Sequence, residues 1–156
     1  MKRFALIATL IMALAAGFGC AKKTTDEAPM SDTGISAEMQ AAIDQITDAR
    51  VYFAFDRFDL TPQYKEVLKA KADLMKTYSS IRVRVEGNCD ARGTQEYNLA
   101  LGEKRARVVY EYLVVLGVNP AQLEMISYGK ENPAVDGTGE AAWSKNRRDE
   151  FRVIAH

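Results

Sequence analysis

Histidine appears once in the 156 residues, at the last position, His156, and cysteine twice, at Cys20 and Cys89. That scarcity excludes several chemistries. A Ser–His or Cys–His nucleophile pair has no internal imidazole to serve as its base. No His/Cys cluster stands at metal-ligand spacing, so neither a metal nor another cofactor is expected. No Gly-rich phosphate loop occurs either. Cys89 accordingly reads as a small residue packing a loop, and a Cys20–Cys89 disulfide is not expected. An excess of one charge is also lacking: 21 Lys and Arg stand against 21 Asp and Glu. With no basic surplus to neutralise a phosphate backbone, nucleic acid is not an expected partner. No apolar run reaches the roughly 20 residues of a bilayer-spanning helix. No repeat or low-complexity block breaks the chain. One domain of ordinary size with a real core remains.

What is present begins with a leader. Lys2 and Arg3 precede an apolar run from Phe4 to Ala16, interrupted only by Thr9, and Gly17-Phe18-Gly19-Cys20 follows. A cationic start, a short apolar stretch and a small-residue end make residues 1–19 a signal peptide. The position of Cys20 resembles a bacterial lipoprotein processing site, which implies lipidation there. Gly17 and Gly19 also satisfy the small-x-small rule of ordinary cleavage. Residues 20–48 then hold the lipidated N-terminus, a polar tether around Pro29 and a short helix. In that helix Met39, Ile43 and Ile46 recur at helical spacing behind the cap residue Ser36. The folded domain is expected at residues 49–156.

Within it, Val51 to Phe55 reads as a strand, followed by a turn at Asp56-Arg57-Phe58-Asp59. Thr61 and Pro62 open a helix to about Tyr78. Its inner face is Tyr64, Val67, Leu68, Leu74, Met75 and Tyr78, with its lysines, Lys71 among them, mostly elsewhere. Ile81, Val83 and Val85 alternate with Arg82, Arg84 and Glu86, the pattern of a half-buried strand. A second long helix spans Gln95 to Leu116, capped by Thr94 and ended by Gly117. Its inner stripe reads Tyr97, Leu101, Val108, Tyr112 and Leu116. Strands at Leu123–Tyr128 and Glu150–Ala155 flank a loop and a short helix carrying Trp143, a packing anchor. This β-α-β-α-β-β order predicts an α+β sandwich, two long helices packed on one face of a small mixed β-sheet. The loops after the first two strands and the start of the second long helix then meet at one edge.

The stretch from Val85 to Ala106 carries the chemistry. Gly87 breaks the strand, a polar loop holds Asp90 and Arg92, and the helix carries Asn98 and Arg105 two turns apart on one side. An acid and a guanidinium so placed suit a zwitterionic ligand, the carboxylate taking its ammonium and the guanidinium its carboxylate. Spacing alone equally lets Asp90 serve the helix dipole. It also lets Arg105 pair with Glu103 or lie in solvent.

Glu86-Gly87, Asp90, Arg92-Gly93-Thr94, Glu96-Tyr97-Asn98, Leu101-Gly102-Glu103 and Arg105-Ala106 together resemble the signature of the outer-membrane protein A-like (OmpA-like), peptidoglycan-associated domain family. The likeness is strongest to its lipoprotein branch in the Tol–Pal system. The Phe55-Asp56-Arg57-Phe58-Asp59 turn, the run from Ser127 to Pro133 and Ser144-Lys145-Asn146-Arg147-Arg148 extend the likeness over residues 51–148. Asn88, Cys89 and Ala91 depart from it. The resemblance implies a non-enzymatic module that binds peptidoglycan through the meso-diaminopimelate of the stem peptide. Asp90 would hold the ammonium and Arg105 the carboxylate, with Asn98, Phe55 and Asp56 completing the pocket. Arg147 and Arg148 read as structural or surface charges. The resemblance also implies a periplasm-facing domain anchored in the outer membrane through the lipid on Cys20. Such a protein links membrane to wall and docks with TolB and other Tol proteins in envelope integrity and cell division. Two other classes stay open: a wall-acting enzyme using paired carboxylates such as Asp56 and Asp90, and a protein-binding lipoprotein that ignores the wall.

Overall fold

The computed structural model describes residues Ile35–His156; the expected signal peptide, Cys20 and the expected polar tether lie outside the described residues. In chain order the elements are α1 (Ala37–Asp48), β1 (Val51–Tyr52), α2 (Pro62–Thr77), β2 (Arg82–Asn88), α3 (Gln95–Val115), a 3-10 turn at Pro120–Gln122, β3 (Leu123–Gly129), α4 (Glu140–Asn146) and β4 (Arg148–Ala155). The four strands form one mixed sheet in the order β1-β4-β2-β3, with β2 and β3 parallel and the other neighbours antiparallel.

Alternation along the strands sorts the two faces of this sheet. Val83 and Val85 of β2 and Phe151 of β4 are buried. Arg82, Arg84 and Arg152 point the other way, where Arg82 and Arg84 reach Glu124 at 2.7 and 3.3 Å and Arg152 reaches Glu86 at 3.4 Å. A charged face cannot be covered cheaply, so the helices gather on the apolar one. Ala42 and Ile46 of α1, Leu68, Ala72 and Met75 of α2, and Ala106, Val109 and Leu113 of α3 join the strand residues in one core. The α+β sandwich expected above is the architecture observed. α1, capped by Ser36 as its sequence suggests, belongs to the domain and packs into the core.

Four expectations need correction. Gly87 does not break the second strand: the ladder continues through it to Asn88, because a side-chain-free residue there lets α3 approach. The first strand is shorter than Val51–Phe55: its ladder ends at Tyr52, and Phe53 makes one further bond to Arg147 before the chain turns away. The inner stripe of α3 is rotated from the one expected. Asn98, Leu101, Gly102, Arg105, Ala106, Val109 and Leu113 face inward, and Tyr97 is 54% exposed. The expected stripe was wholly apolar, yet the buried line runs through an asparagine and an arginine. Small residues on that line let the helix lie close to the sheet. A Cβ on Gly87 would run into the carbonyl of Gly102, and one on Gly102 would meet Ser127. Lys71 also faces inward. Its ammonium donates to the carbonyls of Gln45, at 3.4 Å, and Ile46, and lies 4.3 Å from the centre of the Phe151 ring. The open carbonyls at the end of α1 attract a cation, and the ring face does the same.

Gly87→Ala should destabilise the domain by about 3 kcal/mol, as overpacking against a fixed backbone does, read as a lower urea midpoint. A second outcome concerns pH. Burial pulls the pKa of Lys71 down to about 8 from 10.5. Between these values the unfolded chain holds the extra proton, so this group makes stability rise with pH. Lys71→Met should flatten that rise in unfolding curves taken from about pH 8 to 10.5.

Candidate functional site

The turn after β1, the loop after β2 and the first turns of α3 meet around a cleft of about 250 Å³. Phe55, Asp56, Asp90, Asn98 and Arg105 all line it, with Arg92, Tyr97 and Arg147 beside them. The chain reaches this geometry locally for clear reasons. Gly93 adopts φ +84 and Thr94 caps α3 by accepting from the N–H of Tyr97. Asn98 donates from Nδ2 to the carbonyls of Arg92 (2.7 Å) and Thr94 (2.9 Å), which locks the loop onto the helix start. Asp56 stands at φ +57, the only non-glycine residue in the left-handed region among the described residues. It accepts a hydrogen bond from the Tyr97 hydroxyl, bridging the mouth of the cleft.

Asp90 is 4% exposed. Its Oδ1 accepts from the backbone N–H of Arg92 at 3.1 Å and from Arg92 Nε at 3.0 Å. Its Oδ2 accepts from Arg92 Nη2 at 2.6 Å and from Arg147 Nη1 at 3.2 Å. Burial alone would push this carboxyl up. The hydrogen bonds from Arg92, from its backbone and from Arg147 outweigh burial and hold it below the usual carboxylate range. Asp90 is therefore an anion throughout the neutral range. Arg92 completes its setting by stacking between the rings of Phe55 (4.0 Å) and Trp143 (4.1 Å). Trp143 packs on a cation, and Phe55, 60% exposed, forms the outer wall.

Arg105 is 0% exposed. It neither pairs with Glu103, which binds Arg107, nor lies in solvent. Nε donates to the carbonyl of Arg57 (2.8 Å), Nη1 to that of Asn88 (3.0 Å) and Nη2 to that of Ala54 (3.2 Å). The second N–H of Nη1 goes to the Cys89 sulfur at 3.5 Å, and Nη2 keeps one further N–H. Burial lowers its pKa, yet a guanidinium is basic enough to remain charged. Cys89 donates from Sγ to the carbonyl of Asn98 at 3.3 Å, and burial pushes its pKa up to about 11. It remains a thiol at neutral pH, without the thiolate character a nucleophile needs. Among the described residues no group of three or more His, Cys, Asp or Glu is placed to hold a metal.

Arg147 and Arg148 are not surface charges. Arg147 reaches Asp90, Glu140 and the carbonyl of Phe53, and Arg148 reaches Glu150 and the carbonyls of Asn132 and Asn146. Reading the sequence also missed Arg92 as the stacked partner of Asp90 and Tyr97 as a cleft residue. The doublet Arg147-Arg148 beside a strand was the available signal for the first pair. Nothing local marked Tyr97, since helical spacing suggested a core position.

The OmpA family model matches residues 52–147. The chain belongs to the OmpA family. The peptidoglycan-associated lipoprotein of Pseudomonas putida is 42% identical over 97% of this chain and 98% of its own. That of Haemophilus influenzae is 43% identical over 92% of each. A crystal structure of the peptidoglycan-associated lipoprotein from Burkholderia pseudomallei matches with a TM-score of 0.66 at 44% identity, covering 67% of this chain and 88% of that one. In this OmpA-family domain the cleft residues Asp90 and Arg105 lie within the matched span.

Asp90→Asn should lower stability at neutral pH by about 3 kcal/mol, because Arg147 loses a buried counter-charge. The wild-type domain should lose stability as pH falls through the carboxylate range, since its Asp90 titrates lower folded than unfolded. Thermal melts from pH 7 to 2 should show a shallower acid limb in the variant.

Proposed function

We propose that the cleft binds peptidoglycan through the meso-diaminopimelate of its stem peptide, without covalent chemistry. The observation that carries this reading is the presence of one ionised carboxylate, Asp90, and one buried guanidinium, Arg105, on the walls of a single cleft. The end of the diaminopimelate side chain bears one ammonium and one carboxylate. Asp90 takes the ammonium, with Arg92, its partially exposed partner, giving way. Arg105 has three donors on carbonyls and a fourth on the Cys89 sulfur; the remaining Nη2 N–H, with the Nη1 N–H exchanging its weak sulfur acceptor, would take a carboxylate. Phe55, Asp56 and Tyr97 frame the entrance, and Asn98 keeps the loop in place. The names of the relatives support the same reading.

Around this site we infer an envelope role. Cys20 carries the lipid, the tether spans outward from the outer membrane, and the domain grips the wall from the periplasm. TolB and other Tol proteins are the protein partners in this reading. Intact mass of the mature protein tests the anchor: acyl chains on Cys20 add mass that ordinary cleavage does not.

The binding site is tested by sedimentation with purified cell-wall sacculi. Hydrogen bonds to charged groups contribute about 1.5–3 kcal/mol each, so Asp90→Ala and Arg105→Ala should each weaken cosedimentation at least about tenfold. Wild-type binding by both folded variants would reject the site and favour a lipoprotein that ignores the wall. Release of soluble wall fragments by the pure protein would instead favour an enzyme.

A further inference from the structure

Asp149 lies in β4 between β1 and β2, opposite Val51 on one side and Gly87 on the other. Strand alternation directs its side chain to the face that carries Phe151, toward the helices. It is 0% exposed, and neither carboxylate oxygen has a hydrogen-bond partner among the described residues. Its neighbour Gly87 is where α3 comes close to the sheet, at Gly102, and Arg105 follows one turn along the same buried line of α3. Arg105 is equally buried. Its hydrogen bonds go to three backbone carbonyls and the Cys89 sulfur, and none goes to a carboxylate. A buried carboxyl with no cation in contact thus lies within electrostatic reach of a buried guanidinium with no carboxylate in contact. Neither charge is tolerable alone in a dry interior.

We propose that Asp149 is the counter-charge of Arg105, and that a ligand carboxylate arriving at Arg105 drives a proton from solvent onto Asp149. This rests on reading the cleft as the place where such a carboxylate binds. Two anions on one desolvated guanidinium repel each other, and the one sealed from water is the one that gives up its charge. Burial already pushes Asp149 well above the carboxylate range, with Arg105 and Arg148 opposing it. The surrounding groups are otherwise committed. From β4, Arg147 serves Asp90 and Glu140, and Arg148 serves Glu150. From α2, Lys71 over Phe151 serves the end of α1. From the loop after β2, Asp90 is held low and Cys89 high. β1 presents Val51, which has no charge. The single histidine, His156, follows Ala155, which pairs with Arg82 at the far end of β2. Asp149 is the buried acid near the cleft that no hydrogen bond commits.

The test is calorimetric titration of the full-length protein with N-acetyl-L-Ala-D-Glu-meso-diaminopimelate, in buffers of different ionisation enthalpy from pH 5 to 8. Wild type should take up a fraction of a proton per peptide, rising toward one. Its affinity should fall by up to about tenfold per pH unit once Asp149 ionises in the free protein. Asp149→Asn should bind with no uptake and with affinity flat across the range. Binding without uptake in wild type, or equal uptake in both proteins, overturns this inference and leaves the binding site standing. A wild-type protein that ignores the peptide at every pH overturns the binding reading and this one together. Should Asp149→Asn fail to fold, the carboxyl carbon of Asp149 in wild type decides by NMR: its pKa must rise when peptide is added, and an unchanged titration overturns the proposal.

Discussion

Arg105 reaches from α3 to the carbonyls of Ala54 and Arg57 in the turn after β1, and to that of Asn88 at the end of β2. The first two lie beyond the end of β1 and the third belongs to the last residue of β2, and each accepts from this side chain. One guanidinium supplies all three. It joins two loops and a helix that are far apart in sequence, and in doing so it creates the cleft that it lines. An arginine suits this post because its donors are held in a plane and its charge survives desolvation. A lysine would offer one flexible point and would lose its proton more readily, as Lys71 on the other side of the core illustrates.

The cost of burying that cation shapes its surroundings. α3 must approach the sheet closely for the side chain to reach Asn88, and the approach is possible because Gly87 and Gly102 meet without side chains. The anion in the cleft wall, Asp90, is stabilised differently, by two guanidinium groups and a backbone N–H. One of these, Arg147, is itself buried and tied to Phe53, while the other, Arg92, lies in the open between two aromatic rings. The cleft thus has a buried, tied guanidinium beneath its acid and a partly exposed one at its rim.

Elements with strong local rules were readable in advance. Ser36, Thr94 and Pro62 mark helix starts where the structure has them, and the alternation of Ile81 to Glu86 describes a strand with one charged face. The acid and guanidinium of the cleft were also legible, because both fall in one continuous stretch whose pattern resembles a known family. The orientation of α3 was not. Tyr97 and Val108 looked like core by hydrophobicity, and Asn98 and Arg105 were read as cleft residues without a place on the buried stripe. The inversion arises because the helix is packed by partners its own sequence does not contain: the backbone of Gly87 and the carbonyls of distant loops.

Sequence by itself determined the order and type of the elements, the chemistry available in the central stretch and the family to which the domain belongs. Caps, periodicity and contiguous motifs act over a few residues, and their physics is complete within a short window. The tertiary structure alone decided which charges are buried, which ions share a partner and where Arg147, Asp149 and Trp143 stand relative to Asp90 and Arg105. Those outcomes depend on desolvation and on contacts between residues tens of positions apart, and neither exists until the chain has closed around them.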